Sequence, residues 1–123
     1  MRYLRYQVEI AQPYSDGEQA AARAQGIILP NRDVHTDTLI LTILRAPRQG
    51  GISTADVVAR AKIERDLNRS MDRIEACETT MIAFEDERAE ALRRIVQSHS
   101  WGGYALSVAE FIEAVESMPS EVS

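Results

Sequence analysis

Asp33, His35 and Asp37 stand two residues apart, a spacing that brings side chains together in a β-strand. On one face of a strand, two carboxylates and an imidazole could hold a divalent metal ion. In a helix the same side chains would point in different directions, and no site would form. A metal site needs more converging ligands than these three. We therefore expect a polar segment that leads into a capped helix, with no metal and no cofactor.

A row of cations in segment 53–77 could contact nucleic acid. The row consists of Lys62, Arg65, Arg69 and Arg73. On a helix these side chains would fall within about 80° of one another. Residues 39–74 also have the order of a helix-turn-helix motif, with the cations on the last helix. With Asn68 as a further base-contacting side chain, this segment makes a nucleic-acid-binding regulator the alternative function.

Three features of the sequence argue against DNA binding. The stretch ARAKIERD runs on without the glycine that a tight turn usually contains. Asp66 and Asp72 border the cation row and would repel phosphate. The formal net charge is −5, the opposite sign to that of most free nucleic-acid binders. We therefore expect the cation row to be solvated or to face an acidic protein neighbour.

Few residues stand where catalytic groups would be expected. His99 has no carboxylate or nucleophile at a telling spacing. Cys77 continues an apolar row, where a free cysteine is usually packed and inert. The sequence also lacks a nucleophile elbow, a phosphate-binding glycine loop and a paired metal motif. We expect a protein that is not an enzyme, and a small metal-dependent or cofactor-free enzyme is the third class.

The first 30 residues predict a small β element around a short helix. Residues 3–11 are rich in Tyr, Val and Ile and alternate loosely, as a strand does. Residues 27–29 could form a second strand, giving a hairpin that must pack on the helices. Between the two, a short helix is expected to end at Gly26.

Residues 33–46, DVHTDTLILTILRA, are compatible with two structures. Their β-branched side chains favour a strand, whereas the spacing of their apolar residues favours a buried helix. Asn31 or Asp33 offers an N-cap. We predict a helix here and keep a strand as the alternative.

Segment 53–77 predicts the longest helix of the chain, with Ser53 as its N-cap. An apolar row runs along it at steps of three and four residues. The row consists of Ile63, Leu67, Met71, Ile74 and Cys77. Val57 and Val58 fall off this row. The first two turns should therefore face a different neighbour, or the helix should bend near Arg60.

Two amphipathic helices follow an extended connection at 79–84. The first, at 85–99, is acidic at its start and basic later, which complements the helix dipole. The second opens at a capping box between Ser107 and Glu110 and buries one apolar face. That face consists of Val108, Phe111, Ile112, Val115 and Met118. Residues 119–123 are expected to fray.

Length and composition predict one small domain. The chain has 123 residues, of which 45% are hydrophobic and 6% aromatic, so its core must come mainly from aliphatic side chains. We predict a mainly α, four-helix-like domain with a short N-terminal β-strand or hairpin. Residues 1–30 would form the β-containing arm, 31–118 the helical core and 119–123 the tail.

Charge is distributed unevenly along the chain. Residues 1–74 carry 11 basic and 9 acidic side chains, and residues 75–123 carry 3 basic and 10 acidic ones. Halves of opposite sign suit self-assembly or docking on a charged partner. The lone cysteine, the polar N-terminus and the short apolar runs predict a protein made and folded in a cytoplasm, with no membrane association.

Aromatic and arginine side chains are the candidates for a partner interface, since binding energy concentrates in them. The candidates are Arg65, Arg69, Arg73, Trp101, Tyr104 and Phe111. For the three aromatic residues, the sequence favours a role in the core over a role in an interface.

The order of these elements resembles that of small bacteriophage-encoded proteins that are virion-associated or of unassigned role. The resemblance covers roughly residues 30–116 and lies in spacing and apolar pattern. The segments that carry it are DVHTDTLILTILRAP, ISTADVVARAKIERDLNRSM, IAFEDERAEALRRIVQ and SVAEFIEAV. No catalytic or binding residue follows from it.

The resemblance implies an accessory protein of phage structure or assembly. Such a protein would work by contact with other phage structural proteins or with itself, as an oligomer or part of a larger assembly. It would lie in the host cytoplasm during synthesis, or in the virion. Non-enzymatic protein–protein interaction is therefore the function that the sequence predicts.

Overall fold

The computed structural model of the protein describes residues 1–7, 10–11, 15–29, 33–101 and 103–120. This part of the chain contains five helices and four short strands. In chain order they are β1 (Arg2–Arg5), β2 (Ile10–Ala11), α1 (Asp16–Gln25), β3 (Asp33–Val34), α2 (Thr36–Arg45), α3 (Thr54–Glu75), β4 (Met81–Phe84), α4 (Asp86–Ser98) and α5 (Leu106–Glu116). The mainly helical class with a short N-terminal β element is confirmed.

Local hydrogen bonds explain where α1 and α3 begin and where α1 ends. The Ser15 hydroxyl accepts from the Glu18 N–H, and the Glu18 carboxylate accepts from the Ser15 N–H, which closes a capping box on α1. Gly26 ends α1 in the left-handed region, at φ 67°, as predicted. Ser53 caps α3 by accepting from the Asp56 N–H at 3.2 Å, also as predicted.

The strands form two separate antiparallel pairs. β1 pairs with β4, with Leu4 opposite Ile82, and β2 pairs with β3, with Ile10 opposite Val34. Alternate residues of β4 point into the core, so that Ile82 and Phe84 are fully buried. The predicted strand at 3–11 is therefore two strands, and its residues 8 and 9 lie outside the described part.

At the centre of the β1–β4 pair, a hydrogen-bond partner from another segment lies on each outer edge. On one side, the Ser70 hydroxyl of α3 accepts from the Ala83 N–H at 2.9 Å and donates to the Ala83 carbonyl at 3.3 Å. On the other side, the Tyr3 N–H donates to the Pro119 carbonyl at 3.0 Å. A helix side chain and the chain after α5 thus take the place of further strands. The tail predicted to fray is held at its first residue, and residues 121–123 lie outside the described part.

One apolar core joins the sheet β1–β4 to α2, α3, α4 and α5. Its buried side chains come from every one of these elements. The largest of those that are fully buried are Phe84, Ile10, Ile40, Ile43, Ile63, Leu67, Ile82, Leu92 and Met118. The N-terminal segment is tied to the core by Thr36, whose hydroxyl accepts from the Gln7 N–H at 2.8 Å and donates to the Gln7 carbonyl at 3.1 Å.

Two predictions about strands are wrong. Residues 27–29 form no strand, and the Ile28 side chain is 94% exposed. The partner of β1 is instead β4, within the segment predicted as an extended connection. The reason is burial: the segment MIAF offers two core-facing side chains in alternation, whereas Ile27 and Ile28 after Gly26 are mostly exposed.

The predicted N-caps of α2 and α5, the bounds of α2 and the burial of Cys77 also need correction. The N-cap of α2 is His35 and that of α5 is Ala105, neither with a side-chain capping bond, so Ser107 lies inside α5. The prediction that 33–46 is helical holds from Thr36 to Arg45. Cys77 is exposed, because the chain turns into the left-handed region there, at φ 60°, and leaves the apolar row.

Candidate partner-binding surface

Asp33, His35 and Asp37 belong to successive segments of the fold rather than to one strand. Asp33 lies in β3, His35 precedes α2, and Asp37 lies in the first turn of α2. The Nδ1 atom of His35 is 2.6 Å from the Tyr6 hydroxyl. Burial and the Asp37 carboxylate raise the pKa of Tyr6. Across the described residues, no group of three or more His, Cys, Asp or Glu side chains lies close enough together to bind a metal ion.

The cation row lies on the exposed side of an unbroken helix. α3 continues from Thr54 to Glu75, so no turn sets off a separate recognition helix. Arg65, Arg69 and Arg73 are exposed. An Arg69 nitrogen is 3.8 Å from an Asp66 oxygen, and Arg73 Nε is 3.3 Å from a Glu78 oxygen. Two of the three arginines therefore share their charge with carboxylates of this chain, which reduces what they offer to phosphate.

Asp66 is a structural residue rather than a surface acid beside the cation row. Its side chain is 2% exposed. One carboxylate oxygen accepts from the Glu85 N–H at 3.1 Å, at the start of α4, and the other bonds the Arg88 guanidinium. This carboxylate fixes the N-terminal end of α4 against α3. Sequence reasoning missed it because its partners lie about 20 residues away along the chain.

The three aromatic candidates have different surroundings. Phe111 is 2% exposed and packs in the core, the role that the sequence favoured. Trp101 is half-buried, edge-on to the His99 ring at a centroid distance of 4.7 Å. Tyr104 is 81% exposed and is the aromatic candidate that is available to a partner in this conformation.

Apolar side chains remain exposed at the N-terminal end of α3. We call Ile52, Val57 and Val58 the α3 apolar surface; they are 40%, 50% and 49% exposed. Ile52 and Val57 occupy the positions of a hydrophobic staple around the Ser53 cap, which explains part of the pattern. Val58 has no such role. The sequence predicted a different neighbour for these turns, or a bend near Arg60. In the structure Val58 lies beside α4, and about half of its surface stays exposed.

A groove between α3 and α4 adjoins the α3 apolar surface. It has a volume of about 520 Å³. Its lining combines small apolar side chains with charged ones. The lining residues are Thr54, Ala55, Val58, Ala59, Lys62, Glu87, Arg88, Ala91 and Arg94. We call it the α3–α4 groove.

A smaller cavity of about 230 Å³ opens at the end of this groove. We call it the arginine cavity. It is lined by Arg48, Asp56, Ala59, Arg60, Ala91, Arg94, Ile95 and Ser98, three of which also line the groove. Arg60 is buried, and its guanidinium donates to the carbonyls of Leu44 at 2.8 Å and Ile43 at 3.4 Å, at the end of α2. Arg48 donates to the Ser98 hydroxyl.

The pKa of His99 is affected by the positive charge of the arginine cavity. Burial lowers the pKa of His99 below its ordinary value of 6.5, and the nearby Arg48 and Arg60 lower it further. The arginine cavity has no signature in the sequence. Arg48 lies in a loop, Arg60 in α3 and Arg94 in α4, so that only folding brings them together.

No family model matches the sequence, and comparisons with curated proteins and with solved structures find no match. The likeness to phage proteins therefore stays a prediction from pattern. Within the described ranges, none of the helices combines the length and apolar character that crossing a membrane requires.

Proposed function

We propose that this protein is a non-enzymatic protein–protein interaction module whose partner packs on the α3 apolar surface and the adjoining groove. The observation that carries the proposal is the exposure of Val57 and Val58 on a long helix with a capped N-terminus, whose later apolar row is buried at Ile63 and Leu67 and partly buried at Met71 and Ile74. Exposed apolar side chains that adjoin a groove are typical of binding surfaces.

The placement of these valines supports a partner over a purely local role. β-Branched side chains such as valine are weaker helix formers than the Glu, Lys and Arg residues found further along α3. Solvent-facing positions in the first turns would be better served by acidic residues, which favour the helix N-terminus. The staple accounts for Val57, whereas the exposed half of Val58 gains hydrophobic free energy only when another surface covers it.

The biological context that we propose is bacteriophage structure or assembly. The order and apolar pattern of the elements support it, and so does the absence of chemical motifs from the sequence. In that context the partner is another phage structural protein or a second copy of this chain, and the protein acts in the host cytoplasm or in the virion.

Substitution of Val58 tests the proposal with little risk to the fold. Val58→Glu places an acidic, good helix-forming residue near the N-terminus of α3, so its free energy of unfolding should stay within about 0.5 kcal/mol of wild type. We expect the wild-type chain to self-associate in light scattering, or to copurify with a partner from its native context, and Val58→Glu to lose that association.

Ile28→Glu is the matched control, since Ile28 is 94% exposed, lies elsewhere and acquires the same charge. The control should associate as wild type does. A wild-type protein that is strictly monomeric and has no partner would contradict the proposal. Equal loss of association in both variants would show that charge, and not this surface, is responsible.

A further inference from the structure

We infer that the arginine cavity is an anion site that receives a side-chain carboxylate of an acidic segment of the partner, whose apolar residues lie in the α3–α4 groove. This inference rests on the proposed function and goes beyond it, because it states the chemistry of the partner. It also places the cationic contact at Arg48, Arg60 and Arg94 instead of the predicted row at Arg65, Arg69 and Arg73.

The charge of the cavity has no full counterpart within the chain. Among the described residues, no carboxylate forms an ion pair with Arg48, Arg60 or Arg94. The nearest acid of the lining is Asp56, which leaves three cations against one anion. Such a surplus in a partly enclosed space favours binding of an anion.

Arg60 gives the site a fixed, buried element. Its side chain is about nine-tenths buried, at 8% exposure, and its Nε atom has no hydrogen-bond partner. The bonds from its guanidinium to the end of α2 hold it in position before any ligand arrives. A buried cation with an unused donor is costly by itself, and a nearby anion lowers that cost.

The shape of the surface favours a protein carboxylate over free phosphate. The cavity continues into the α3–α4 groove through Ala59, Ala91 and Arg94. A small inorganic anion would occupy only the cavity and leave the apolar groove and Val58 uncovered. An acidic amphipathic segment would cover both, with its carboxylate against the arginines and its aliphatic side chains against Ala55 and Val58.

Two labelled peptides test the inference on the full-length chain. One is a helical peptide with leucine at positions i and i+4 and glutamate at i+3 and i+7, and its twin has glutamine in place of glutamate. By fluorescence anisotropy at low salt, we expect the glutamate peptide to bind at least tenfold more tightly. The double variant Arg48→Ala/Arg94→Ala should abolish this preference, whereas Arg23→Ala, an exposed arginine of α1, should preserve it.

Arg60 is left intact in these variants because it also caps α2. Equal binding of the two peptides, or a preference that survives the loss of Arg48 and Arg94, would overturn the inference. Displacement of the peptide by inorganic phosphate at micromolar concentration would also overturn it, in favour of a small-anion site. None of these three outcomes affects the proposed function, which depends on the Val58→Glu result.

Discussion

Asp66 is the acidic residue whose pairing matters most to the fold. It is buried, and its two oxygens serve the start of α4 and the Arg88 guanidinium. Removing one member of a buried pair leaves the other charge without compensation. The sequence placed Asp66 beside the cation row, where it would oppose phosphate. In the structure Asp66 instead binds the start of α4 from inside the protein.

Asp66→Ala should therefore lower the free energy of unfolding by roughly 3 kcal/mol, as measured by urea denaturation. Asp66→Asn retains an acceptor for the Glu85 N–H and should cost less. Asp72→Asn, on the exposed side of the same helix, should change stability by no more than about 0.5 kcal/mol. Equal effects at positions 66 and 72 would show that the buried pair contributes little.

His99 should report the charge of the arginine cavity. Because burial, Arg48 and Arg60 all lower the pKa of His99, its NMR titration should fall below 6.5 in the wild-type protein. Arg48→Ala should move the pKa back toward 6.5, since one repelling cation is gone. Arg23→Ala, at an exposed arginine of α1, is the control and should leave the pKa of His99 unchanged. An unchanged pKa of His99 in Arg48→Ala would contradict the electrostatic description of the cavity.

The same shift has a consequence for stability. The unfolded chain takes up the proton on His99 at a higher pH than the folded chain does. The contribution of neutral His99 to stability is thus present above the unfolded-state value of about 6.5 and is lost as pH falls through the folded-state pKa. Replacing His99 by Gln should remove this part of the acid sensitivity, as measured by urea denaturation at pH 7.5 and 5.5.

At the scale of elements, the sheet β1–β4 depends on hydrogen-bonding groups from outside it. A two-stranded sheet is marginal alone. Ser70 completes the hydrogen bonding of Ala83 on one edge, and the Pro119 carbonyl accepts from Tyr3 on the other. The position of Ser70 in α3 therefore links the longest helix to the N-terminal strand through β4.

Ser70→Ala should destabilise the protein by about 1–2 kcal/mol, because the N–H and carbonyl of Ala83 would lose their partner. Denaturation by urea measures this change. Ser120→Ala, at an exposed serine near the end of the described chain, is the control and should leave the midpoint unchanged. If Ser70→Ala is equally neutral, water satisfies Ala83 and the edge does not need the hydroxyl.

The elements with local signals were predictable and those that depend on distant partners were not. Ser53 and Gly26 set helix ends through bonds to residues a few positions away, and both predictions are confirmed. β4 is four residues long and is a strand because β1, 76 or more residues earlier, lies beside it. The hydroxyl of Ser107 has the spacing of a capping box, yet α5 begins before it.

The same difference between local signals and distant partners applies to the candidate surface. Val57 and Val58 could be recognised as a separate surface because they depart from the period of their own helix. The arginine cavity could not, because Arg48, Arg60 and Arg94 come from a loop and two helices. The interface candidates Arg65, Arg69 and Arg73 show the opposite case, because they lie on one helix and their spacing is visible in the sequence.

At the scale of the whole molecule, the apolar surface, the groove and the arginine cavity form one continuous feature. It runs between the first half of α3 and α4, from Glu87 to Ser98. The acidic half of the chain contributes an exposed face of α5, with Glu110, Glu113 and Glu116. A second copy could therefore supply some of the required negative charge, and a different acidic protein could supply it as well.

Site-specific photocrosslinking in the native context tests the central claim most directly. A benzophenone side chain at position 58 should form a covalent product with a protein partner or a second copy, and the same group at position 28 should not. The product should disappear when Val57 is also replaced by Glu. A chain that yields no product at position 58, or equal products at 58 and 28, would contradict the claim that the start of α3 is the partner-binding surface.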